Sequence, residues 1–342
     1  MESLVSIIIP THGGSIKLKR AISSLLLQTY PNIEIIVVDD NSPESNERAK
    51  TEQIMKDFSV NKNVQYIKHS INRNGSAARN TGLRNAKGDF IGFLDDDDFY
   101  FPKKVECCVD ALEKETTYGM VYCGVIHISR FRYDGFQLGE APEDIQRDLM
   151  LGKFSIGTGS NMFFTKLAIN KTGMFDEEFI RYQDIEYVLR VLKNFKAIAV
   201  KDLLIVKDSN GRNFPKYKKL YSATMLFLTK FQDLIKSYPS EVQNSIMEYY
   251  FGLLWNSTFL NTDKNDLLHA TKNYEMYHTL TDLETKKYKR FYSISYWTFL
   301  KIKLKNNLVA DLIKRFIGKK THKLAVSELG FENALYVKKN MK

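Results

Sequence analysis

Short apolar runs alternate with polar, helix-spaced stretches through the first two hundred residues. Val5 to Ile9 is an unbroken run rich in β-branched residues, the pattern of a strand covered on both faces, and Pro10 is expected to end it. Leu18, Ala21, Ile22 and Leu25 then recur at helical spacing, and Tyr30-Pro31-Asn32 punctuates before a second buried run, Glu34 to Val38. Val64 to Lys68 and Asp89 to Leu94 read as further strands, with helical stretches near 46–58, 76–86 and 102–115. This rhythm predicts an α/β protein whose parallel sheet is covered on both faces.

After about residue 215 the period becomes helical. Tyr221, Met225, Leu228 and Phe231 open one amphipathic segment, and Ile246 to Leu260 makes another. The expected organisation is a first domain over 1–214 and a basic, aromatic-rich helical region over 215–342, with no internal repeat. Charge supports that boundary. From Gly211 onward 23 Lys and Arg face 11 Asp and Glu, and between Lys286 and Lys323 there are 12 basic residues and one acid, Asp311. Such asymmetry implies an anionic partner for the tail. Its mixture of cations and aromatics, as in Lys286-Lys287-Tyr288-Lys289-Arg290-Phe291-Tyr292, Tyr296-Trp297 and Lys301 to Lys305, suits an anionic membrane surface. A solvated helix face or a contact with another subunit is the plainer alternative.

Composition narrows the class. Of 342 residues 44% are hydrophobic and 26% charged, which is globular rather than disordered. Cys107, Cys108 and Cys123 make neither a disulfide framework nor a zinc spacing and read as core residues in a reducing cytosol. The segment Met1 to Ser6 lacks a basic n-region, and no apolar run approaches the roughly 20 residues that span a bilayer. The expected location is cytoplasmic, at most peripheral at the inner face of the cytoplasmic membrane.

The candidate chemistry lies at the strand ends. In parallel sheets ligands sit beyond the carboxyl edge, and three polar clusters fall there: Thr11-His12, Asp39-Asp40-Asn41-Ser42, and the four aspartates Asp95 to Asp98. Four adjacent carboxylates repel one another. A hard divalent cation, Mg²⁺ or Mn²⁺, resolves that conflict, and such sites use one or two carboxylates with substrate phosphates completing the shell. The alternative is a solvated acidic turn that caps the next helix.

Together, VSIIIPTHG, QTYPNIEIIVVDDNS and NGSAARNTGLRNAKGDFIGFLDDDD resemble the family 2 glycosyltransferases of the GT-A fold, over residues 4 to about 208. The resemblance implies a Rossmann-like, mixed but mostly parallel sheet, a nucleotide-sugar donor with UDP favoured, a divalent metal (Mn²⁺ or Mg²⁺) and inversion at the anomeric carbon. It places Pro10 and Thr11 where the first strand meets the nucleotide, with His12 as a flat ring that can stack on the base. Asp40 takes the base-recognition position and Asp39 supports the loop or the ribose, unless both cap a helix with Asn41 and Ser42. Arg79, after small residues that allow close backbone approach, would reach the ribose or diphosphate, or close an internal salt bridge.

Asp95 and Asp97 fit the D-x-D pattern, with Asp97 as metal ligand, Asp96 at the ribose and Asp98 left to cap the next helix. Ser155 to Asn161 and Gly173 to Glu177 resemble the acceptor loop and the helix after it. Asp184 occupies the position of the catalytic base, although Gln183 stands where the family usually has Glu. Asp208 to Arg212 is expected as a loop over the donor, with Arg212 near the phosphates. The acceptor implied is a glycan or lipid-linked saccharide in cell-surface polysaccharide synthesis. Alternatives are a sugar-phosphate nucleotidyltransferase, for which His12-Gly13-Gly14-Ser15 is a poor loop, and a nucleotide-sugar-binding scaffold without turnover, which Gln183 motivates. A nucleic-acid partner rests on tail charge alone and is not expected.

Overall fold

β-Branched residues crowd the first hundred positions, and the central strands form there. The computed structural model describes residues 2–13, 16–129, 132–209, 216–259, 263–293 and 336. It divides into two compact units, one of Met1–Gln146, Ser155–Asn210 and Leu329–Lys342, the other of Arg147–Phe154 and Gly211–Glu328.

In the first unit β1 (Val5–Thr11), α1 (Lys17–Leu26), β2 (Ile33–Asp39), α2 (Asn46–Lys56), β3 (Val64–Lys68), α3 (Gly75–Asn85) and β4 (Phe90–Phe93) alternate as the periodicity predicts. They give four parallel strands in the order β3-β2-β1-β4. Ile7, Ile8 and Ile9 of β1 and Ile36, Val37 and Val38 of β2 are buried, as in a sheet covered on both faces. α3 lies directly on β1: a Cβ on Gly82 would meet the Ile8 side chain at 2.3 Å, so only glycine permits that approach.

Then come β5 (Phe99–Tyr100), α4 (Lys104–Glu113), β6 (Tyr118–Ser129), β7 (Arg132–Gln137), α5 (Ile145–Met150), β8 (Phe163–Thr165), α6 (Lys166–Thr172), α7 (Gln183–Val191) and β9 (Lys196–Asp208). They extend the sheet as β4-β8-β6-β9-β5, with β7 on β6. β8 runs antiparallel to β4 and β6, whereas β6 and β9 are parallel with shifted register. The sheet is therefore mixed, and mostly parallel in the half that carries the polar strand ends.

One expectation about β1 needs correction. The strand does not stop at Pro10 but pairs with β2 through Thr11. β4 has already ended at Ile8↔Phe93, so Pro10 stands where one neighbour is gone and its missing N–H is tolerated.

The second unit is helical: α8 (Tyr217–Lys230), α9 (Gln232–Lys236), α10 (Ser240–Thr258), α11 (Lys264–Glu275) and α12 (Asp282–Ser293) follow in order. Its core gathers Tyr217, Phe251, Leu254, Trp255, Leu267 and Tyr274. Lys287 lies 4.1 Å from the Phe259 ring centroid and 5.1 Å from that of Trp255, so this cation packs within its own unit. His278 bridges Glu248 at 2.7 Å and Glu284 at 3.0 Å. Among the described residues no helix is long and apolar enough to cross a membrane. Most of the basic stretch, from Ile294 to Lys323, lies outside the described residues.

Candidate active site

The carboxyl ends of β1, β2 and β4 meet around a cavity of about 370 Å³. Its lining includes Pro10, Thr11, His12, Asp40, Arg79, Asp95, Asp96 and Asp97, together with Gly75, Ala78, Ile180 and Gln183. The sequence-based donor-site residues therefore converge on one place. Asp184 is not among the described lining residues.

Asp39 is fully buried and acts as an internal anchor. Its Oδ2 accepts from Tyr66 Oη at 2.5 Å and lies 3.1 Å from Arg48 Nε, while its Oδ1 accepts from the Asn41 backbone N–H and Nδ2. Arg48 also donates to the carbonyls of Asn41 and His69, tying the ends of β2 and β3 together. The pair does not cap α2. That helix starts later, at Asn46, and Ser45 Oγ accepts from Arg48 N.

Asp40 is held differently. Its Oδ1 accepts from His69 Nδ1 at 2.7 Å and the Arg73 backbone N–H at 2.9 Å, and its Oδ2 accepts from Asn72 Nδ2 at 3.1 Å. The sequence reading does not single out His69, Asn72 or Arg73. His69 comes directly after β3, so it is a fourth polar strand end that the carboxyl-edge rule itself points to.

The aspartate run splits into distinct roles. Asp98 is buried and receives Thr158 Oγ1 at 2.8 Å, Ser160 Oγ at 2.6 Å and the Asp208 backbone N–H at 3.0 Å. It pins the loop before β8 and the end of β9, and it does not cap α4, which begins six residues later at Lys104. Burial pushes its carboxyl up to about 6, with Asp95 adding to the effect. Asp96 accepts from Thr11 Oγ1 at 2.5 Å. Burial raises it too, to about 6, against the pull of the Thr11 hydroxyl. Asp97 is pushed furthest, to about 8, by burial first and then by the charges of Asp98, Asp95 and Asp96. Its carboxylate takes no hydrogen bond from the described residues, while Arg20 holds its backbone carbonyl.

Arg79 and Gln183 complete the wall. Arg79 donates from one end nitrogen to Asp95 Oδ1 and from the other to Gln183 Oε1, both at 2.8 Å. Gln183 in turn donates from Nε2 to the Phe179 carbonyl at 2.7 Å. A carboxylate in place of that amide would face the carbonyl without a proton to give, so Gln suits this geometry. A Cβ on Gly75 would meet Gln183 Oε1 at 3.0 Å and Arg79 at 3.2 Å, so the small residue leaves room for the pair. Asp184, next on α7, accepts from the Ile185 backbone N–H at 3.0 Å. Asp208 binds Lys17 and Arg20, and Arg212 lies outside the described residues.

Hard carboxylate oxygens that burial and mutual repulsion make hold their protons too tightly fit a divalent cation, which would restore the ionised state. Among the described residues no group of three or more His, Cys, Asp or Glu is arranged to hold an ion alone. The donor set thus suits a cation whose shell is completed by ligand phosphate oxygens.

Residues 6–173 match the profile described as Glycosyl transferase family 2. An uncharacterized glycosyltransferase of Rickettsia typhi is 31% identical over 245 residues, covering 68% of this chain and 74% of that protein. The chain belongs to glycosyltransferase family 2. Other relatives of this family 2 protein match over less than two thirds of their own length. The fold is similar to S. aureus TarS in complex with UDP-GlcNAc, with a TM-score of 0.54 at 15% identity over 79% of this chain and 88% of that one. It is also similar to the mannosyltransferase PcManGT from Pyrobaculum calidifontis in complex with GDP-Man and Mn²⁺, with a TM-score of 0.53 at 16% identity over 92% and 88%. At that identity the likeness establishes the GT-A fold of this glycosyltransferase.

Proposed function

We propose that this family 2 glycosyltransferase moves a sugar, with inversion, from a nucleotide-sugar to a hydroxyl of a glycan or lipid-linked acceptor in cell-surface polysaccharide synthesis. The observation that carries the reading is the convergence of Thr11, His12, Asp40, Arg79 and Asp95 to Asp97 on one cavity at the carboxyl edge of the sheet. The catalytic domain is assigned to 1–214, and the basic region from 215 is proposed to hold the enzyme at the inner face of the cytoplasmic membrane.

In this reading His12 stacks on the base, Asp40 accepts from its edge, and Thr11 with Asp96 faces the ribose. Arg79 directs its guanidinium charge toward the diphosphate. A divalent cation (Mn²⁺ or Mg²⁺) on Asp97 would neutralise charge growing on the departing diphosphate. Asp184 takes the proton of the acceptor hydroxyl as its oxygen attacks the anomeric carbon from the face opposite the nucleotide. A C–O bond to the acceptor forms, the C–O bond to the phosphate breaks, and the nucleoside diphosphate leaves with the electron pair. The bound states of TarS and PcManGT support a nucleotide-sugar donor and, for the latter, Mn²⁺.

The position of Asp184 outside the cavity lining favours a second reading, in which the donor is bound but not turned over. Release of nucleoside diphosphate from a panel of nucleotide-sugars, with Mn²⁺ and cell-envelope acceptors, separates the two. Asp184→Asn is expected to lower the turnover rate by about 10²- to 10⁴-fold with donor affinity unchanged. Equal turnover in the variant would remove Asp184 from the mechanism.

A further inference from the structure

The donor reading leaves the nucleobase open, since neighbours of the same fold carry UDP-GlcNAc and GDP-Man. Resting on that reading, we infer that His69 is a specificity-determining positioning residue: with the Arg73 backbone N–H it fills one oxygen of Asp40 and so restricts the site to a base edge with a single N–H donor.

An ionised carboxylate offers about four acceptor positions, two on each oxygen. On Asp40 three are taken. His69 Nδ1 and the Arg73 backbone N–H occupy both positions of Oδ1, and Asn72 Nδ2 occupies one of Oδ2. One position, on Oδ2, is left. The donors already in place are fixed rather than adjustable. Thr81 Oγ1, which accepts from Arg84 at 3.0 Å, stands 2.8 Å from His69 Nε2 and holds the far side of the ring. Asp40, as a carboxylate, can only accept, so His69 donates to it from Nδ1. Its backbone is held as well, through its N–H to the Asp39 carbonyl at 2.9 Å and its carbonyl to Arg48 at 2.8 Å.

The chemistry of the bases decides what fits. Uracil and thymine present one imide N–H between two carbonyls, which matches one open acceptor. Guanine presents N1–H and the N2 amine side by side and needs both carboxylate oxygens, but Oδ1 is already filled. Cytosine presents a ring-nitrogen lone pair that a carboxylate repels. The site therefore takes a uridine or thymidine diphosphate in preference to a guanosine or cytidine one, and His69 with Arg73 enforces the choice.

Titration calorimetry at fixed Mn²⁺ tests this with UDP, GDP, CDP and inosine diphosphate, whose base is guanine without the N2 amine. On the unmodified protein UDP is expected to bind at least about tenfold tighter than GDP, the worth of one charge-assisted hydrogen bond. Inosine diphosphate is expected to bind at least as well as GDP, because the extra amine finds no acceptor. His69→Asn, which can still donate to Oδ1, keeps the UDP to GDP ratio. His69→Leu, which cannot, brings the two nucleotides within about threefold of each other. Tighter binding of GDP than of inosine diphosphate, a preference for GDP or CDP, or an unchanged ratio in His69→Leu each overturns the inference while leaving the donor site standing. Failure of the unmodified protein to bind any nucleotide overturns the donor reading and this inference with it. The inosine comparison needs no variant to fold.

Discussion

Two acidic clusters stand at the same edge of the sheet, and they are built in opposite ways. Asp39 and Asp40 end β2 and are held by Arg48, Tyr66, Asn41, His69, Asn72 and Arg73. Asp95 to Asp98 come after β4, where Asp98 is tied by Thr158, Ser160 and the Asp208 backbone but the Asp97 carboxylate takes no hydrogen bond from the described residues. Three of their four carboxyls are pushed up, Asp97 to about 8. Asp39, fully satisfied, serves the fold by fixing where β2 and β3 end, while Asp40 is held beside the cavity that it lines. An under-satisfied carboxylate such as Asp97 is a cost to the fold, and it is explained by a partner of opposite charge. Identical side chains are thus sorted into scaffold and binding site by the donors around them.

The largest expected effect breaks the first cluster. Asp39→Ala leaves Arg48 buried without its carboxylate and Tyr66 Oη without its acceptor. A loss of about 3 kcal/mol or more is expected in denaturant unfolding. A loss below about 1 kcal/mol would mean that the carbonyls around Arg48 suffice.

The second cluster should respond with the opposite sign. Asp97 holds its proton more tightly folded than unfolded, so its contribution is fully present below the ordinary carboxylate value and is lost as pH rises toward about 8. Metal-free protein is expected to lose stability between about pH 4 and pH 8. Asp97→Asn should flatten that slope and gain at least about 1 kcal/mol at pH 8. Thermal unfolding across that range, with a chelator present, reads both. A variant less stable than the parent at pH 8 would put Asp97 in the scaffold class.

The smallest effect lies between the clusters. Thr11→Val removes the hydroxyl that favours the ionised Asp96. Stability should change by less than about 1 kcal/mol at neutral pH, while the Asp96 carboxyl, followed by NMR titration, should move above about 6. An unmoved titration would remove the Thr11 hydroxyl from the causes of the present value and leave burial and the neighbouring charges.

How much of this the sequence disclosed tracks the same division. The β-branched runs of β1 and β2 and the polar residues just after them were legible, because a strand buried on both faces leaves a continuous apolar signature. β8, three residues long, and β9, whose register against β6 shifts, leave no such pattern, so the mixed half of the sheet is not legible in the sequence. Within the site, residue types that attract ligands were readable, but the direction of their hydrogen bonds was not. Asp98 read as a helix cap and is instead an internal tie, since nothing in DDDD tells which carboxylate faces inward. Gln183 read as a departure from the family pattern, and the Phe179 carbonyl that gives its amide a purpose is visible only in three dimensions.

Titration of UDP into the unmodified protein and Asp97→Ala, with and without Mn²⁺, decides whether Asp97 anchors a metal-bridged donor site. Mn²⁺ is expected to strengthen UDP binding to the unmodified protein, and Asp97→Ala to lose this gain, about 100-fold or about 3 kcal/mol, while remaining folded. Metal-independent binding of equal strength in both proteins would contradict that role of Asp97.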